Sequence, residues 1–217
     1  MPTTGTRSRK RPRLLPIGAV VVWLCATGPT RASGFESEVT LWIEPGKAVA
    51  TSLLSGRRET PLDVQETVLG HAASGINGIV VTSRRLLGFS SRTLTWSEVK
   101  RDVEDKMRER KTLPAFSVVR TEKHLYGFRG VDSTWIEEPF SVRETVLRTV
   151  TTDYGVVFVT NERLIGFASL LGDFSPKHLG VHERITTIDD EHGLIIVTTS
   201  VRTLVFGSRL SGWEEFE

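Results

Sequence analysis

Residues 159–167 read Val-Thr-Asn-Glu-Arg-Leu-Ile-Gly-Phe, and the pattern returns at constant spacing along the chain. Thr82, Thr121, Thr160 and Thr199 lie 39 residues apart, as do Phe89, Phe128, Phe167 and Phe206. Four units tile the sequence without a gap: 62–100, 101–139, 140–178 and 179–217. Self-similarity at a fixed period marks each unit as one small block that buries its apolar surface against its neighbours.

Every unit has the same internal order. A short opening segment carries Val followed two residues later by a carboxylate, as in Ser141-Val142-Arg143-Glu144. An apolar run into Thr comes next, then a basic residue with Leu, then Gly-Phe. An aromatic closes the unit at Trp96, Trp135, Phe174 and Trp213. The third unit predicts four short strands. Residues 144–150 alternate, Tyr154-Gly155 is a turn signal, and residues 156–160 form a continuous β-branched and aromatic run suited to burial on both faces. Asn161-Glu162 turns the chain, residues 164–167 return, and a break at Gly172-Asp173 precedes a last strand near Phe174. The charged run 101–111 is read as a strand too, because it occupies the same register.

The chain has 217 residues, 39% hydrophobic and 25% charged, ordinary for a globular protein. Its formal charge of +2 is set by the first 32 residues, which hold six basic side chains and no acid. The remainder has 22 basic against 26 acidic side chains. A mildly acidic folded part argues against nucleic-acid binding. Residues 1–13 are polar and basic, 14–28 are almost wholly apolar, and small residues follow at Ala32, Ser33 and Gly34. This three-part layout predicts a signal peptide over 1–32, cleaved near Ala32, and a periplasmic or secreted product. The apolar run of 15 residues is short against the roughly 20 needed to span a bilayer, so a membrane enters only if the leader stays uncleaved. The single cysteine, Cys25, lies in this leader, which leaves the remainder without thiol chemistry.

Residues 33–61 precede the four units. Leu41-Trp42-Ile43-Glu44-Pro45 looks like a detached copy of a closing strand such as Thr134-Trp135-Ile136-Glu137-Glu138-Pro139. Ala48 opens a second candidate strand, and residues 55–61 read as a polar loop. The expectation is an N-terminal strand and linker, its strand closing against the C-terminal unit.

Four strands in about 40 residues is the size of a propeller blade. At this level residues 62–217 resemble the β-propeller class, and more loosely WD-repeat blades through the closing Trp, although the Gly-His and Trp-Asp pairs of that family are absent. The expected fold is therefore all-β: a small propeller of four four-stranded blades with an extra N-terminal strand. The alternative is a tandem of pleckstrin-homology-like domains or another all-β sandwich, since residues 157–165 also resemble the strand-turn-strand of bacterial domains of that kind. That fold needs a C-terminal helix, which no stretch after Arg202 suggests.

No nucleophile elbow, phosphate loop or His-Glu-x-x-His occurs, so no catalytic residue, metal ligand or cofactor is assigned. His178 and His182 are four apart but flank Gly180 in a connection. Asp189-Asp190-Glu191 reads as a solvated acidic turn. Two candidate sites remain. Arg85, His124, Arg163 and Arg202 share one repeat position and would form a ring of cations able to hold an anionic ligand. The competing structural reading pairs each with the position thirteen residues later: Glu98, Glu137, Pro176 and Glu215, which leaves Arg163 unpaired. Leu170 and Leu171, in a third hairpin loop, are candidate contacts for a protein partner. In a meander the first and third loops share one face, and variable loops on a rigid scaffold are where ligands are read. The chain is expected to be an exported, non-catalytic binding or scaffold module for an unknown protein or small molecule; a small hydrolase or lyase with its site in the propeller mouth is the alternative.

Overall fold

Two adjacent strands in each repeat are apolar on both faces, so each repeat has to be sandwiched between others. The computed structural model, which describes residues 37–54, 56–207 and 212–216, shows how this is achieved. The predicted leader, its cleavage point and Cys25 lie outside the described residues. The first sheet contains β1 (Val39–Glu44), β2 (Lys47–Ser52) and β3 (Gly56–Pro61). The second contains β4 (Val68–Ser74), β5 (Asn77–Thr82), β6 (Arg85–Ser90) and β7 (Trp96–Lys100). The third contains β8 (Met107–Thr112), β9 (Phe116–Thr121), β10 (His124–Arg129) and β11 (Thr134–Pro139). The fourth contains β12 (Val146–Thr151), β13 (Gly155–Thr160), β14 (Arg163–Ala168) and β15 (Ser175–His178). The fifth contains β16 (Ile185–Glu191), β17 (Leu194–Thr199), β18 (Thr203–Gly207) and β19 (Gly212–Phe216). All pairings are antiparallel and sequential, so the chain is all-β and built as propeller blades are, from meander sheets packed face to face.

The core is the set of interfaces between consecutive sheets. Val157, Val159 and Leu164 of the fourth sheet meet Ile195, Val197, Leu204 and Phe206 of the fifth. The opposite face of the fourth, with Phe158, Ile165 and Phe167, meets Phe116, Val118 and Leu125 of the third. The Gly-Phe pair of the repeat works across these interfaces. In each of the last three sheets the Phe lies on the Gly of the sheet before it: Phe128 on Gly88, Phe167 on Gly127, Phe206 on Gly166. A Cβ at these glycines would lie 2.4, 2.5 and 2.2 Å from a ring carbon, closer than any side chain tolerates. The closing aromatic packs beside the Phe of its own sheet, with ring centroids 5.3 Å apart for Phe89–Trp96 and 5.1 Å for Phe206–Trp213.

Three expectations are corrected. The strand around Trp42 does not pair with the C-terminal unit: β1 pairs with β2 from Val39↔Ser52 to Glu44↔Lys47. The stretch expected to be a polar loop is largely β3, paired with β2 from Lys47↔Pro61 to Ser52↔Gly56. Residues 39–61 are thus a sheet in their own right, with Leu41 and Ala48 packed on Val80 and Leu87 of the second sheet. Asp189, Asp190 and Glu191 belong to β16, and the turn falls one step later, at His192 and Gly193 with φ of +50° and +82°. Two successive positive φ angles fit the type I′ turn that matches strand twist in a tight hairpin.

Candidate binding cleft

The basic column sits at the second-loop end of the sheets, and the structure gives every member a carboxylate. Arg85 makes a bidentate pair with Glu66, Arg163 with Glu144 and Arg202 with Glu183, at N–O distances from 2.8 to 3.2 Å. His124 Nδ1 lies 2.8 Å from Asp105. These carboxylates are the ones the opening segments repeat. Each also accepts a hydrogen bond from the repeat threonine: Thr82, Thr121, Thr160 and Thr199 in turn. The arginines reach one step further, donating to the carbonyls of Pro61, Pro139 and His178 in the last strand of the preceding sheet. A second carboxylate completes each site: Glu98, Glu137, Glu138 and Glu215. Arg163 is therefore paired after all, through Glu138 of the preceding sheet instead of the position held by Pro176.

Electrostatics follow from this geometry. Burial alone would raise the Glu66, Asp105 and Glu144 carboxyls, but hydrogen bonds from the column side chain and threonine at each site outweigh it and hold all three below the usual range. Glu183 is lowered to about 2, chiefly by the Arg202 guanidinium. With two carboxylates for each arginine, the guanidinium charges of the column are met within it. Leu170 is exposed, whereas Leu171 tucks back against the core between the fourth and fifth sheets.

At the other end, the first hairpin loops are stitched from sheet to sheet. Glu38 N donates to Gly75 O, and Ile76 N to Pro114 O, both at 2.8 Å. Asn77 is wholly buried; its amide donates to Ser74 O, Leu113 O and Pro114 O and accepts from Ser117 Oγ. These bonds bind the loops of the first three sheets into one floor. Thr152 Oγ1 donates to Gly193 O at 3.3 Å and joins the loops of the fourth and fifth. Among the described residues no hydrogen bond joins Leu113-Pro114-Ala115 of the third sheet to Thr152-Asp153-Tyr154 of the fourth.

Two clefts open at that unstitched junction and share Asp153 and Tyr154. One, of about 330 Å³, is lined by Leu113, Thr151, Thr152, Asp190 and His192 with the shared pair. The other, of about 270 Å³, is lined by Glu38, Gly75, Ile76, Arg92, Pro114 and Ala115 with the shared pair. The third-loop Arg92 confirms that first and third loops share this end, as a meander requires. No single residue of this cleft stands out in the repeat, because a loop that reads a ligand need not keep the repeat's columns. The only sequence signal was the grouping of the first loops on one face. Among the described residues no group of three His, Cys, Asp or Glu side chains is placed to hold a metal ion.

No known family profile matches the chain, and no curated protein does. Solved structures do. Prp20p from Saccharomyces cerevisiae, the yeast RCC1, is 10% identical with a TM-score of 0.42 over 79% of this chain and 55% of that one. The extracellular domain of a putative one-component system from B. thetaiotaomicron is 12% identical, with a TM-score of 0.30 over 84% of this chain and 28% of that one. The WD40 domain of SCAP from fission yeast is 11% identical, with a TM-score of 0.36 over 71% of this chain and 45% of that one. The chain spans about half the length of the yeast RCC1 structure it matches.

Proposed function

We propose that this chain is an exported, non-catalytic binding module whose reading surface is the first-loop end of its sheets. The observation that carries the reading is the paired cleft at the junction of the third and fourth sheets, walled by loops that hydrogen bonds hold in place on either side. Rigid walls around an open junction are what a binding site needs, since order present before binding is not lost on binding. The basic column is the weaker site, because its cations are already neutralised. Export rests on the order of residues 1–34 alone.

One experiment tests both parts. A photo-crosslinking amino acid is placed at Tyr154 or, as a control on the second-loop end, at the exposed Val142. The protein is expressed with its leader, and adducts are recovered from the envelope fraction. The expected outcome is a discrete adduct from position 154 only, on a chain whose N-terminus is near Ser33. Adducts from 142 alone would move the binding surface to the opposite end. An intact Met1 on a cytoplasmic product would remove export.

A further inference from the structure

The two clefts differ in chemistry, and the difference points to a ligand class. The smaller has an aliphatic floor of Ile76, Pro114 and Ala115. The larger has Asp153 and Asp190 in its walls. Asp190 stands opposite Ile195 in the β16–β17 pairing, which turns it toward the fourth sheet and the Asp153 loop. The arginines of the basic column hold Glu66, Glu144 and Glu183 in ion pairs, and the outward face of the first sheet pairs Glu44 and Glu59 with Lys47 and Arg57. Asp153 and Asp190 instead have no side-chain hydrogen bond or ion pair among the described residues. Glu38 adds a third carboxylate, and Arg92, 3.6 Å from it, is the single guanidinium lining either cleft among the described residues.

Tyr154 stands where the clefts meet. Its ring rests on Gly193, where a Cβ would lie 2.6 Å from the ring carbon Cδ2, and the residue is still 48% exposed. An exposed aromatic face beside two unpaired carboxylates attracts a cation and repels phosphate.

We infer that the double cleft takes an extended, basic segment of a partner protein. A Lys or Arg side chain lies over Tyr154 at Asp153 and Asp190, and an adjacent aliphatic side chain lies on Ile76 and Pro114. This rests on the first-loop end being the binding surface. Charge complementarity selects the occupant: the carboxylates disfavour nucleic acid and anionic lipid, and the aliphatic floor disfavours a bare polyamine.

The test uses the full chain as bait for a displayed random-peptide library, with an Asp153→Asn, Asp190→Asn double variant beside it. The expected result is enrichment of peptides that place Lys or Arg next to Leu, Ile or Val. Retention should be about tenfold lower on the double variant and should fall with added salt. The Asn variants keep the volume of both side chains, and an unchanged melting temperature certifies their fold. A wild-type pool without basic enrichment, or equal retention by the variant, overturns the inference. Crosslinks from position 154 without basic enrichment would leave the surface standing and reject the ligand class; loss of both would reject the surface as well.

Discussion

Arg163 shows what a single side chain does in this fold. It fastens its own sheet to Glu144, whose side chain is fully buried, and to Glu138 and the Pro139 carbonyl of the preceding sheet. The sequence pattern leaves it without a partner, because counting thirteen residues forward reaches Pro176. Its buried partner, Glu144, lies 19 residues earlier in the same unit, a spacing every unit keeps, whereas Glu138 comes from the preceding repeat, where a rule confined to one unit does not reach. Arg163→Ala and Arg85→Ala should therefore destabilise the protein alike, by about 3 kcal/mol each, since both leave an inaccessible carboxylate unpaired. Urea midpoints of the two variants measure this; near-wild-type stability in Arg163→Ala would contradict the interlock. The same carboxylates set the acid limit of the fold. Glu183 has its folded pKa lowered from 4.5 to about 2, so its contribution is complete above 4.5 and is lost as pH falls through about 2. Glu66, Asp105 and Glu144 are shifted in the same direction. Stability should decline steadily below pH 4.5, and Glu183→Gln should flatten that decline while lowering the plateau at neutral pH. A pH profile of Glu183→Gln parallel to wild type would show that the pair does not titrate with folding.

At the level of the element, strands, turns and the repeat were legible because each rests on local chemistry: β-branched runs, Gly and Asn at turns, and one register held four times. The role of the repeat glycine was not, since its reason lies in the next sheet. Gly166→Ala should cost about 1–3 kcal/mol by overpacking, because its Cβ meets the Phe206 ring at 2.2 Å. Phe206→Leu in the same chain should recover part of the loss, and thermal melts of the single and double variants give the coupling directly. Additive losses would show that ring and glycine do not meet. The first sheet escaped sequence reading for a related reason. Strand β2 begins on Lys47 and ends on Ser52, as β6 begins on Arg85 and ends on Ser90, but Ala50-Thr51 stands in it where β6 has Gly88-Phe89. Its outward face, with no described sheet before it to receive a Phe, carries Thr51 there, so the hallmark that would have marked the repeat is missing.

On the scale of the molecule, the first and fifth sheets each turn one face away from the other described sheets, and both faces depart from the interior pattern. At the C-terminal end Val205 occupies the glycine position, and Thr198 and Thr203 stand where the fourth sheet has Val159 and Leu164. That face cannot receive a Phe as the interior ones do. At the N-terminal end the outward face of the first sheet is charged: Lys47 and Arg57 pair with Glu44 and Glu59, and Arg57 lies 5.9 Å above the Trp42 ring. Trp42 sits opposite Val49 on this face, while Leu41 points the other way into the second sheet. Adjacent residues of one strand thus have unequal duties, and a comparison separates this arrangement from one in which the Trp42 strand closes against the C-terminal unit. Leu41→Ala removes atoms from the interface with Val80 and Leu87 and should cost about 2–4 kcal/mol. Trp42→Ala removes a half-buried ring that sits opposite Val49 and should cost less, about 1 kcal/mol. Under closure the order would reverse, because Trp42 would be buried between two sheets and its truncation would cost roughly 3–5 kcal/mol. Denaturant midpoints of the two variants at one pH decide the matter, and a larger loss for Trp42→Ala would mean that the outward face of the first sheet is covered in solution.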